Sequence, residues 1–187
     1  GRSAGQNISV TNGAGSVTVA FSASGIAGAR ASSILASAVA QSDLSTTTQT
    51  SLHSYTIPGN SLSAGDVVRV RIAGNFILEA GGETITITFA LGGSDILTLQ
   101  LPGADFTPSD SEVPYLLEVT LVVRTAGESG IAAYSATLLT PTAQIFAGPG
   151  AVSIDTTVSR LLNTLMQINT ITGSNHVSVE TAEVRYN

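Results

Sequence analysis

The chain has no cysteine, no lysine and no tryptophan, and charged residues make up only 11% of its 187 positions. Without cysteine there is no disulfide framework and no thiolate chemistry, which argues against small secreted domains and adhesin modules that rely on a bridge. Its seven basic residues are all arginine and scattered, against thirteen acids, for a net charge of −6. That leaves no cationic footprint for nucleic acid. No apolar run reaches the roughly 20 residues that cross a bilayer. The nearest, Ile26 to Ala40, is interrupted by Arg30 and serines. The chain begins at Gly1 and carries no readable signal peptide, as expected of a processed chain or a piece of a longer one.

Catalytic vocabulary is equally sparse. There is no G-x-S-x-G elbow, no phosphate-binding G-x-x-x-x-G-K-[ST], no H-E-x-x-H and no dinucleotide glycine pattern. The two histidines, His53 and His176, are far apart in sequence and are read as polar strand or turn residues. A zinc or seryl site needs more convergent partners than these supply. No catalytic residue and no cofactor is therefore assigned. The densest acidic stretch, Asp105 to Glu112, places Asp105, Asp110 and Glu112 in a proline-containing loop. Loop carboxylates of this kind can serve calcium, but the spacing is not an EF-hand, and a solvated loop is the expectation. Aromatic residues are 5% of the chain, and Tyr55, Tyr115, Tyr134 and Tyr186 are read as sheet packing with wet hydroxyls, not as a sugar platform.

What the chain has in quantity is strand alternation. Val68, Val70, Ile72 and Phe76 share one face of a strand, with Arg69 and Arg71 on the opposite, solvated face. Ile85, Ile87, Phe89 and Leu91 repeat the pattern, as do Leu97, Leu99 and Leu101, then Leu117, Val119, Leu121 and Val123, then Val177 and Val179. Glycine, proline and asparagine mark the reversals, among them Pro58-Gly59-Asn60, Gly92-Gly93 and Gly127-Glu128-Ser129-Gly130. Strands are expected near 49–57, 66–78, 84–91, 95–101, 115–125, 130–139, 160–172 and 176–186. This all-β reading is a single eight-stranded jelly-roll β-sandwich over residues 44–187. The segment 141–158, with two prolines, is expected to be a long loop with a short strand at 152–158.

Residues 1–43 are rich in Gly, Ala and Ser and are expected to form an extended N-terminal arm or linker. Within it, Ile8–Val10 and Ser16–Phe21 read as a short hairpin around Asn12-Gly13-Ala14-Gly15. Ala29 to Gln41 reads as a linker or a short helix.

Over Leu52–Ile72, the phrase Tyr55-Thr56-Ile57-Pro58, then Asn60, Leu62 and Gly65-Asp66 before a hydrophobic strand, resembles the opening of the small jelly-roll domains of tailed-phage virions. The segment around Val10-Thr11-Asn12-Gly13 is similar to a phrase of phage tail fibres. The resemblance implies a non-enzymatic virion structural protein that forms a homo-oligomer, typically a trimer. It would meet other virion proteins through the arm and a host-surface glycan or protein through its loops, without nucleic-acid or membrane partners. The low charge agrees, because a free monomer with so little charge is prone to association, whereas one covered by sister subunits is not. Within that class a fibre or spike head displaying loops for host attachment stands beside a capsid decoration or single-jelly-roll coat protein. A free carbohydrate-binding β-sandwich is the rival from another class.

Overall fold

The structure, a computed structural model, describes residues 7–13, 16–22, 33–44, 47–78, 83–102, 112–170 and 175–186. The chain divides into two compact units, Gly1–Ala31 and Ser32–Asn187. The first contains β1 (Asn7–Gly13) and β2 (Ser16–Ser22), an antiparallel pair in which Val10 faces Val19. The expected hairpin is present. Pairing runs on through Gly13 and Ser16, so Asn12 and Gly13, read from the sequence as turn, are paired strand residues.

The second unit contains β3 (Ser33–Leu44), β4 (Thr50–Ile57), β5 (Val67–Ile77), β6 (Thr84–Leu91), β7 (Ser94–Pro102), β8 (Val113–Thr125), β9 (Gly130–Leu139), β10 (Gln144–Ile154), β11 (Arg160–Ile168) and β12 (His176–Tyr186). They form a six-stranded sheet, β10-β9-β8-β5-β12-β3, and a four-stranded sheet, β4-β11-β6-β7. All neighbouring pairs are antiparallel. The sheets enclose one apolar core that includes Phe76, Phe89, Leu117, Leu138, Leu162 and Met166.

The orders β3-β12-β5-β8 and β4-β11-β6-β7 are those of a jelly roll: the chain alternates between sheets and closes with strands from its two ends side by side. The eight strands read from the sequence are not these eight. That reading omitted β3 and counted β9, which with β10 is a hairpin inserted between β8 and β11 that widens one sheet.

Three stretches fold differently from the sequence expectation. The stretch expected as an arm or helix is, over Ser33–Leu44, a strand paired with β12, with Ala36 opposite Val184 and Ala38 opposite Ala182. Alanine leans toward helix by only a fraction of a kcal/mol per residue, and an open sheet edge supplies the whole backbone with partners. The compact unit therefore begins at Ser32 and not at residue 44. The second correction concerns 141–158, where β10 runs through the expected loop. Pro149 is accommodated because β10 is an edge strand and its register shifts between Ala147 and Gly150. β11 also ends at Ile168, short of the expected 172.

Close approach constrains several glycines, Gly74 and Gly150 among them. A Cβ on Gly74 would run into the Ser178 carbonyl oxygen and reach 3.1 Å from the Tyr115 ring. One on Gly150 would overlap the Tyr134 ring.

Candidate functional site

The turn that carries the family-like phrase is an internal structural knot. Gly65 takes φ +93, a conformation open to glycine, and leaves Asp66 buried at the head of β5. The Asp66 carboxylate accepts from the Ser63 N–H at 2.6 Å and the Tyr186 hydroxyl at 2.8 Å. Backbone bonds from Gly65 N–H to Val123 O and from Val123 N–H to Asp66 O fasten the turn to β8. Beside it Tyr55, Ile57, Pro58, Leu62 and Tyr186 line a small cavity of about 130 Å³. These contacts account for the Gly-Asp of the phrase without any ligand.

The histidines lie in different sheets. His53 sits in β4, directly across from Thr164 of β11, and both are buried in the sandwich. The His53 Nδ1 and Thr164 Oγ1 are buried without a hydrogen-bond partner among the described residues. Burial holds the His53 pKa below its ordinary value, so the neutral ring is favoured. His176 opens β12 opposite Ile77. Strand pairing does not bring the two histidines together. Of the calcium candidates, Asp105 and Asp110 lie outside the described residues, and Glu112 is exposed just before β8. No three His, Asp or Glu side chains among the described residues gather as a metal site.

The tyrosines pack as sheet residues. Tyr115 is buried, donates to the Ser178 carbonyl at 3.0 Å and lies 6.4 Å from the Phe76 ring. Burial, with Glu180 nearby, pushes its pKa up. Tyr55, Tyr134 and Tyr186 are half-buried.

Five charged side chains gather on the outer face of the six-stranded sheet. Strand register builds a transverse row there: Glu183, Arg71, Glu118, Thr137 and Phe146, contributed in turn by β12, β5, β8, β9 and β10. A second row runs Arg185, Arg69, Thr120, Ser135. Arg71 pairs with Glu118 at 3.4 Å and Arg185 with Glu183 at 2.8 Å. These groups surround a shallow depression of about 340 Å³. Toward β10 the charges stop. The outer residues there are Ala133, Ser135, Thr137 and Ala151, with Ile131 43% and Phe146 66% exposed. Among the described residues, Phe146 is the most exposed large apolar side chain.

The sequence placed Arg69 and Arg71 correctly on a solvated face, and the structure adds Glu118, Glu183 and Arg185 beside them. A partial signal existed: Glu183-Val184-Arg185 has the same spacing of two as Arg69-Val70-Arg71. Phe146 had no signal, since its segment read as a loop.

No protein-family model matches the chain, and no curated protein matches it. Among solved structures, the chain is similar to a peanut lectin bound to a nine-residue peptide, at 7% identity and a TM-score of 0.33, over 73% of this chain and 78% of that one. Likeness at that level transfers nothing to this chain.

Proposed function

We propose that this protein is a non-enzymatic structural subunit of a virion: a jelly roll that assembles with copies of itself, as a trimer, into a fibre or spike head displaying loops for host attachment. The observation that carries the reading is the outer face of β9 and β10. An inserted hairpin widens one wall of the sandwich, and its outer surface carries small residues with exposed Ile131 and Phe146 and no charge on the strands themselves. Ile131 and Phe146 stand at the two ends of this uncharged face, which a neighbouring copy would cover. The chain's 11% charged residues point the same way. In this reading the N-terminal unit, Gly1–Ala31, is the tether to the rest of the particle. Neither nucleic acid nor membrane is a partner.

Gold-labelled antibody against the chain on intact particles, viewed by electron microscopy, tests this. Label on tail tips or projecting fibres is the expected result. Label spread over the head would replace the fibre by a capsid decoration or coat role, and particles without label would overturn the virion reading.

A further inference from the structure

We propose that the depression between Arg69, Arg71 and Arg185 binds an acidic sugar through its carboxylate. The inference rests on the attachment reading and supplies its ligand class.

Three of the chain's seven arginines meet here, contributed by the adjacent strands β5 and β12. Arg69 is directly opposite Arg185 in the register. Like charges facing each other across a strand pair oppose sheet formation. Glu183 neutralises Arg185 and Glu118 neutralises Arg71, but among the described residues no carboxylate pairs with Arg69. Thr120 is its neighbour on the other side. The depression thus holds three cations and two carboxylates, one positive charge in excess, on a chain whose net charge is −6.

That pattern selects a ligand. A guanidinium without a partner offers a planar fork of donors matched to a carboxylate. One excess charge suits one anionic group. Polyanions such as nucleic acid or highly sulfated chains would meet Glu118, Glu183 and the acidic remainder of the surface. The same two carboxylates, with the Thr120 hydroxyl, are acceptors for sugar hydroxyls. A polyhydroxylated monoanion satisfies both halves of the site and relieves the Arg69–Arg185 repulsion. The depression, about 340 Å³, has room for one sugar ring.

Saturation-transfer NMR on the full chain, with methyl glucuronide and the methyl glycoside of N-acetylneuraminic acid as probes, tests the site. Methyl glucoside is the neutral control, and inorganic sulfate, which has no protons to observe, is added as a competitor. At least one acidic sugar is expected to bind with a dissociation constant of about 1 mM, weakening as salt rises. Arg69→Gln should weaken it roughly tenfold, the loss of a charge-assisted hydrogen bond. Arg160→Gln, remote from the depression and paired with Asp155, should not change it. Because Arg69 is exposed, an unchanged thermal melt will show that the variant is folded. Failure of both acidic sugars to bind, equal binding of the neutral glucoside, or displacement of the acidic sugar by an equal concentration of sulfate each overturns the proposal. Labelled particles without sugar binding would reject the site alone, and sugar binding without particle label would reject the virion reading alone.

Discussion

The Tyr186 hydroxyl donates a 2.8 Å hydrogen bond to the Asp66 carboxylate, joining the last described residue of the sandwich to the turn that opens β5. The same carboxylate caps the Ser63 N–H, so a single buried side chain closes the turn and anchors the end of β12. Asp66→Ala should lower stability by about 1–2 kcal/mol, since the Ser63 N–H loses this acceptor and the Tyr186 hydroxyl is left with the Ser61 carbonyl at 3.1 Å. Tyr186→Phe should cost about 1 kcal/mol. In a double-mutant cycle followed by urea unfolding, the two effects should be non-additive, and simple additivity would separate the tyrosine from the turn.

His53 makes the fold acid-sensitive. Its folded pKa lies below the unfolded value of about 6.5, so the unfolded chain takes up the proton first as pH falls. The stabilising contribution is complete above the unfolded pKa and is lost progressively as pH drops below it toward the folded pKa. Urea midpoints measured from pH 7.5 to 5 should therefore fall in the wild type. His53→Leu, which puts an apolar group in the same buried site, should flatten that part of the profile. An equally steep fall in the variant would assign it to the carboxylates instead.

Gly74→Ala should destabilise the protein by about 1–3 kcal/mol, the usual range for overpacking. The new methyl group would strike the backbone of Ser178, where β12 passes β5, and press on the Tyr115 ring. Backbone on the adjacent strand yields less readily than the end of a flexible side chain. Gly93→Ala is a useful contrast: nothing stands near its Cβ, and its cost should come only from φ +85. Thermal melts of the two variants separate steric from conformational strain.

On the proposed self-association, Phe146→Asp should dissociate the oligomer without unfolding the subunit. The side chain is 66% exposed and lies outside the core, so the intrinsic stability change should stay within about 0.5 kcal/mol. Light scattering coupled to size-exclusion chromatography should show an oligomer for the wild type and a monomer for the variant. An oligomer unaffected by Phe146→Asp and by Ile131→Asp would move the interface elsewhere.

Alternation made most of the core readable. Leu117, Val119, Leu121 and Val123 are all buried, as their period of two required, and so are Val68, Val70 and Ile72. The misreadings fell where side chains carry little pattern. Half of β3 is alanine and serine, and its strand state comes from pairing with β12, a partner far along the chain. β10 is only half-covered along most of its length, so it has no apolar rhythm, and its proline is tolerated because it lies at a sheet edge.

The candidate site divides in the same way. That Arg69 and Arg71 point away from the core was legible from the chain alone, because strand geometry alternates faces over a few residues. That Arg185 and Glu183 lie opposite them and Glu118 beside them came from the folded sandwich, because register between strands distant in sequence is set by how the whole sandwich closes.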